Sequence, residues 1–410
     1  MTHHSMFFND ENSSSIQSRC FRLFHRRDNS TTTFPPFYFA CEKNDLAFVE
    51  LSLKKMKFNE IDHQYPPNNE TVLHIATRKQ HKEMVEILLH HGAQRTLKNI
   101  DGQQAYELAN TQDMKDLFKR SESSRFAFPH SFENTTFSSE SKLNCKSCSL
   151  VNSNTMYEWE LVDRNASEKA LQFRREFKVS PSTHSKIWKK KFYSLTKSYL
   201  PVHRQDLSVA KSVFIDQCFQ RALREQNPNY LAKAYTSCQN FSRSLNLDMA
   251  RNVIHNLTNG CSQFSCQCLY STEDGTKSIA NIFLHHPNFQ QLSFQGQVYR
   301  GIPLTKDKLD HYRVGSCIIT TTFLSTSKSS SVARMFSGES ERKRSQHSFF
   351  CTYTIVSNGR TAIDISQLSV YPEEEEVLIL PYSTFLITKI EEEPETTMIY
   401  LEEQCLTHIV

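Results

Sequence analysis

Tyr371-Pro372-Glu373-Glu374-Glu375-Glu376-Val377-Leu378-Ile379-Leu380-Pro381 runs four carboxylates into four aliphatic residues and stops at a proline. Consecutive apolar residues between breakers predict a buried strand. Glu376 then stands at a strand mouth, where a carboxylate can sit half inside a cleft. An isolated acid run is more often a solvated face, so its chemistry depends on what accompanies it. Arg300 lies in the apolar stretch Val298–Ile302, where a guanidinium is costly to bury and calls for an anion. Thr322-Phe323-Leu324-Ser325-Thr326-Ser327 alternates hydroxyls at a predicted strand end. A period of two puts residues 325 and 327 on one face, and likewise Glu374 and Glu376. Each piece alone is weak, since a strand arginine is commonly a salt-bridge partner.

The elements that must position these residues follow from the patterning. Val298–Ile302, Ile318–Ser327, the alternation of Phe349, Cys351, Tyr353 and Ile355, Thr361–Ser366, Glu376–Pro381, Thr384–Ile390 and Thr397–Glu402 predict about seven strands. One helix, Ser330–Phe336, interrupts them. Upstream, Leu207, Ala210, Phe214, Cys218 and Ala222 recur at helical spacing within Asp206–Glu225, and helices dominate to about Asn259. Helices first and strands afterwards predict an α+β domain over 200–395, with a strand and tail at 396–410. Residues 157–199 form a helical segment that the pattern assigns to neither side.

The N-terminal half has a different texture. Residues 1–34 are rich in Ser, Thr, Asn and His and predict a flexible lead; the Ser/Asn/Thr-rich 121–156 predicts a linker. Between them, Thr71-Val72-Leu73-His74-Ile75-Ala76 precedes Leu88-Leu89-His90-His91-Gly92-Ala93. Ala76 and Ala109 lie 33 positions apart, with Gly102–Ala109 fitting a further first helix. Ala40 to Ala76 and Val49 to Val85 are both 36 apart, allowing a short insertion near Tyr65-Pro66-Pro67. Residues 35–120 therefore resemble an all-α ankyrin-repeat module of two full repeats and a capping fragment, which implies binding of a protein partner and no chemistry of its own.

The totals exclude several classes. At 410 residues the chain can hold two or three domains. A formal net charge of +4 argues for neither nucleic acid nor membrane, and Lys189–Lys191 is best taken as a solvated helix face. With 9 glycines and no Gly-rich phosphate loop, a nucleotide must be held another way. No run reaches membrane-span length, and neither an apolar secretory core nor a GPI-type tail is apparent, so a cytoplasmic protein is expected. The 12 cysteines are then expected to be reduced. Cys145/Cys148 and Cys261/Cys266/Cys268 are half-sites without a matching pair, so no metal is expected.

In order and context, the C-terminal motifs resemble the arginine-specific mono-ADP-ribosyltransferases with the R-S-E motif. The resemblance rests on Tyr235-Thr236, Phe241 and Leu245-Asn246, then Tyr299-Arg300-Gly301, Tyr312 with Gly315, Phe323-Leu324-Ser325-Thr326-Ser327, Val332-Ala333 with Phe336, and Glu374 with Glu376. It implies an ADP-ribosyltransferase-like fold, helices followed by a split antiparallel β core, that uses NAD as co-substrate and a protein bearing an exposed arginine as acceptor. By the same resemblance Glu376 is the catalytic glutamate, Glu374 engages the acceptor guanidinium, Arg300 grips the dinucleotide phosphates, Gly301 presents backbone to nicotinamide, and Ser325 supports the nicotinamide ribose. Phe336 is a candidate for stacking on nicotinamide. Glu373 and Glu375 exceed what the motif needs, and Gly338–Gln346 is unusually charged for a segment that should fold over NAD. The alternatives are an NAD glycohydrolase and a catalytically silent ankyrin scaffold. A poly-ADP-ribosylating enzyme fits less well, because that branch places a histidine where Arg300 stands.

Overall fold

The computed structural model describes residues 35–56, 58–118, 158–163, 166–176, most of 192–259, 275–302, 312–336, 348–356, 360–394 and 396–404. They fall into two compact units, one running to Leu89 and from Leu97 to Phe118, the other containing His90–Thr96 and the residues from 119 onward. Both cysteine groupings, Lys189–Lys191, Gly338–Gln346 and the Phe336 side chain lie outside the described residues.

In the first unit, sequence chemistry sets the helix starts. Proline leads α1 (Pro36–Glu42), where its missing N–H costs nothing. Asp45 caps α2 (Leu46–Leu53), and Thr71 caps α3 (Val72–Arg78), with α4 (Lys82–His90) following. The repeat-spaced residues Ala40, Ala76 and Ala109, and Val49 and Val85, are all buried, so the spacing marks one packing position recurring along a stack. His74 ties two turns together. Its Nδ1 accepts from the Thr71 N–H at 3.2 Å, which leaves Nε2–H to donate to the Gln103 carbonyl at 3.1 Å. Burial lowers its pKa and keeps the imidazole neutral for that arrangement. The helix expected over Gly102–Ala109 is only a 3-10 turn, Ala105–Leu108. Ala109 is already extended (φ −75°, ψ 118°), and Thr111 caps the next short helix, so no room remains for a second α turn.

Among the described residues the second unit is built on nine hydrogen-bonded strands: β1 (Trp159–Val162), β2 (Gly296–Ile302), β3 (Cys317–Thr320), β4 (Leu324–Ser327), β5 (Ser348–Ile355), β6 (Ala362–Asp364), β7 (Glu376–Ile379), β8 (Thr384–Glu392) and β9 (Thr396–Glu403). Their order is β1-β3-β8-β9-β5-β2-β4-β7-β6. Every pair is antiparallel except β5 with β9, so the core is mixed where a purely antiparallel one was expected. The architecture is α+β. Eight described strands follow Gln295, one more than the pattern suggested, because Ile318–Ser327 is broken at Thr321–Phe323. There Thr321 N bonds to the Glu158 carbonyl at 2.9 Å, and the chain leaves β8's neighbourhood for β7's.

Helices line this sheet: α5 (Ala166–Glu176), α6 (Val209–Glu225), α7 (Asn229–Ser237), α8 (Gln239–Asn259), α9 (Gly275–His285) and α10 (Ser330–Phe336), the last with the bounds expected from sequence. The sheet takes in residues well upstream of 200. β1 forms its edge, and α5 docks on β8 through Ser167 Oγ to Thr384 Oγ1 (2.8 Å) and Arg174 Nη2 to Ser383 Oγ (2.5 Å). Among the described residues no helix is long and apolar enough to cross a membrane. Nor is any group of three His, Cys, Asp or Glu placed to hold a metal, and Cys41, Cys218, Cys238, Cys317 and Cys351 are free thiols.

His74→Ala should destabilise the first unit by about 2 kcal/mol, since it strands the buried Thr71 N–H and removes one of the two bonds that the Gln103 carbonyl accepts. Urea unfolding with hydrogen exchange at Val72–Arg78 measures this; a loss under about 1 kcal/mol would contradict the network.

Candidate functional site

The site is assembled where β4 pairs with β7, Ser325 opposite Leu378 and Ser327 opposite Glu376. Thr320, Thr321, Thr322, Ser325, Thr326 and Ser327 are all buried, so the hydroxyl-rich strand is an interior one. Its hydroxyls satisfy backbone groups. Thr326 Oγ1 donates to the Val377 carbonyl at 2.6 Å, and Ser327 Oγ donates to the Glu374 carbonyl at 2.8 Å while accepting from Ser329 N at 3.0 Å.

The two carboxylates do not lie on one strand, as the period of two implied. Pro372–Glu374 is a 3-10 turn, Glu375 is left-handed (φ 47°, ψ 46°), and β7 begins at Glu376. The alternation of burial nevertheless holds. Glu374 and Glu376 are buried, Glu376 at 0% exposure, while Glu373 and Glu375 face solvent. A turn held from several sides produces this. Glu374 N bonds Tyr371 O (3.1 Å), Glu375 N bonds Pro372 O (3.0 Å), Lys328 N bonds Glu375 O (3.2 Å) and Ile365 N bonds Glu376 O (3.0 Å). Beside it, Lys328 Nζ pairs with Asp364 Oδ2 at 2.8 Å. Burial alone would raise the Asp364 pKa, but the bonds from Lys328 and Ser366 prevail and hold it below the usual carboxylate value.

Arg300, on β2, is 3% exposed. Its Nε and Nη2 donate to the two oxygens of Glu158, at 3.2 and 2.5 Å, and its Nη1 donates to the Ser325 carbonyl at 2.6 Å. The arginine is thus brought to Ser325 through the serine's backbone. Gly301 follows it, buried in β2 opposite Phe350 of β5.

The helical signature closes the other side. Tyr235 of α7 places its hydroxyl 3.5 Å from Ser325 Oγ and bonds the Phe323 carbonyl at 3.4 Å. Asn246 of α8 donates to that carbonyl (3.1 Å) and to the Tyr235 oxygen (3.2 Å). Thr236 Oγ1 accepts from Val370 N at 3.0 Å, fixing the approach to the acid run. Tyr235, Phe283 and Phe323 pack edge to face at centroid distances of 5.3 to 6.4 Å as an apolar floor.

Sequence reasoning missed Glu158 and Ser327's grip on the turn. The first carried a signal, a carboxylate in the aromatic run Tyr157-Glu158-Trp159. The second carried none, because Ser327's partner is a carbonyl set by tertiary register. Chemically, buried paired carboxylates beside a guanidinium-braced serine suit a substrate that is cationic at its reacting centre and a cationic acceptor.

Residues 227–407 match the family model of NAD:arginine ADP-ribosyltransferase, and residues 17–119 match that of ankyrin repeats. A protein of Mycobacterium avium (strain 104), named as the NAD(+)–arginine ADP-ribosyltransferase Mav, is 32% identical over 111 residues. That stretch is 27% of this chain and 12% of the Mycobacterium protein, so only about an eighth of that relative is matched. Similar solved structures include the Vis toxin of Vibrio splendidus (16% identity, 60% of this chain and 89% of that one, TM-score 0.30) and HopU1 of Pseudomonas syringae pv. tomato DC3000 (14%, 52% and 97%, TM-score 0.33).

Valine at position 375 should cost about 2 kcal/mol relative to glycine there, because the left-handed backbone excludes a β-branched residue. Urea midpoints of Glu375→Val and Glu375→Gly measure the difference, and equal midpoints would remove the turn from the account. The depressed Asp364 pKa contributes stability that is present above the unfolded carboxylate value and lost as pH falls through the folded one, below 3.8. Asp364→Asn should flatten the stability profile in that acid window and leave its shape near pH 7 unchanged.

Proposed function

We propose that the C-terminal unit, whose residues 227–407 match the family model of NAD:arginine ADP-ribosyltransferase, transfers ADP-ribose from NAD to arginine side chains of proteins. The observation that carries this reading is the burial of Glu374 and Glu376 together at the turn that β4 holds, while Glu373 and Glu375 between and beside them stay outside. NAD supplies the ADP-ribosyl group and departs as nicotinamide. Glu376 holds the ribose 2′-hydroxyl and stabilises the positive charge that develops as the nicotinamide bond lengthens, a demand that a fixed carboxylate in a water-poor site meets well. Glu374 receives the acceptor guanidinium in a bidentate contact and orients it. Ser325 supports the nicotinamide ribose, and Gly301 offers backbone to the carboxamide. Arg300, which the resemblance gives to the dinucleotide phosphates, is buried against Glu158 and the Ser325 carbonyl, and its part in this reading is to brace Ser325. The ankyrin repeats bring a protein partner or substrate to the chain, and the enzyme works in the cytoplasm.

Two carboxylates rather than one favour transfer over hydrolysis, because water needs no guanidinium clamp. Glu376→Gln is expected to lower nicotinamide release by at least about 1,000-fold. Glu374→Gln should keep release while removing label from an arginine analogue incubated with labelled NAD. Release of free ADP-ribose alone by the unmodified protein would make it a glycohydrolase, and no turnover at all would leave an ankyrin scaffold. Full turnover by Glu376→Gln would overturn the site assignment.

A further inference from the structure

Glu158 lies outside every motif that carries the family match; the matched segment begins at residue 227. Its place in the fold is nonetheless central. The carboxylate is 2% exposed and meets the Arg300 fork with both oxygens. Its backbone is pinned as well, since its carbonyl accepts from Thr321 N at 2.9 Å, where β3 gives way to β4. Trp159 beside it is 1% exposed and packs edge-on to Tyr312 and Tyr353, so the segment cannot slide without opening an aromatic cluster.

The topology makes this contact unusual. β1 is first and β2 sixth in the hydrogen-bonded order, and no ladder joins them. The Glu158–Arg300 pair links them directly, and the same guanidinium reaches the Ser325 carbonyl with Nη1. One fork therefore ties three separate strands at the point where the chain enters β4. A lone buried guanidinium would have strong reason to relax toward another acceptor. Bidentate pairing fixes its plane and hence the direction of Nη1.

We propose that Glu158 is a positioning residue of the site: it sets the Arg300 fork so that Nη1 holds the Ser325 carbonyl, and through β4 it fixes Ser325 relative to the start of β7 at Glu376. This rests on the transferase reading above. Glu158 touches neither the reacting atoms nor the acceptor, and its effect is on the geometry in which they meet. Burial raises the pKa of its carboxyl, and the Arg300 guanidinium opposes part of that rise.

The test is steady-state kinetics of the full chain with NAD and an arginine analogue, comparing Glu158→Gln, Glu158→Asp, Arg300→Lys and the double variant Glu158→Gln with Arg300→Lys. Glutamine keeps the shape and one acceptor but loses the symmetric fork. It should lower kcat by about 10- to 100-fold while KM for NAD changes less than about threefold, as misplacement of a reacting geometry does. Aspartate, which restores the charge and both oxygens, should recover part of kcat. The double variant should be little worse than the poorer single one, since both changes break one device. Near-UV circular dichroism gives the folded fraction for each. A kcat for Glu158→Gln near the unmodified value overturns the proposal, as does a loss that merely follows the folded fraction. Absence of NAD turnover in the unmodified chain would instead overturn the transferase reading, and this inference with it.

Discussion

The pairing of β4 with β7 is the constraint on which the site depends. Because Ser327 stands opposite Glu376, a shift of one residue would turn every β7 side chain to the face opposite its present partners on β4. Register here is set by more than the ladder. The side chains of Thr326 and Ser327 reach across to the carbonyls of Val377 and Glu374, so the partner strand is held at its mouth as well as along its length. With that end fixed, the chain must turn sharply between Glu374 and Glu376, and the left-handed residue at 375 takes up the turn. The two buried carboxylates owe their shared setting to this closure and not to strand periodicity.

Burying several ionisable groups in one region is expensive unless each finds compensation. Arg300 and Glu158 compensate each other almost completely removed from water. Lys328 and Asp364 do the same at the half-exposed rim. The aromatic floor of Tyr235, Phe283 and Phe323 supplies apolar area that offsets part of the cost, and the Tyr235 hydroxyl and Asn246 amide cap the Phe323 carbonyl at the break between β3 and β4. Polar atoms at the site are thus arranged by neighbours from helices far upstream, which explains why a helical signature accompanies the strand motifs.

Much of this was legible from residues alone. Arg300, Ser325, Glu374 and Glu376 could be singled out because charge or hydroxyl in an apolar strand is a local contrast, whereas Gly301 came from the family resemblance. The helix at Ser330–Phe336 was legible for a similar reason, its period differing from that of the strands around it. What escaped was non-local. Nothing in Tyr157-Glu158-Trp159 says that its carboxylate faces an arginine 142 positions later. The pairing of β1 into the sheet and the docking of α5 against it depend on partners, Thr320 and Thr384, still farther along the chain. The break at Thr321–Phe323 was hidden because β-branched and aromatic residues suit a continuous strand as well as an interrupted one. In the repeats the reverse error occurred: a good helical pattern at Gly102–Ala109 was cut short by the capping residue that follows it.

The two units illustrate opposite dependences on sequence distance. In the repeats, stabilising contacts such as Thr71 with His74 and His74 with Gln103 span 3 and 29 residues, so each repeat can be read from its own spacing and its neighbour's. In the second unit the residues proposed for chemistry are braced across 25, 47 and 142 positions by Ser325 with Arg300, Glu374 with Ser327, and Arg300 with Glu158. A short motif can therefore name the groups that meet a substrate, but the groups that aim them are chosen by topology. It follows that changes far outside the motifs, at the edge strand β1 above all, can alter the geometry of the site without touching any residue that the motifs identify.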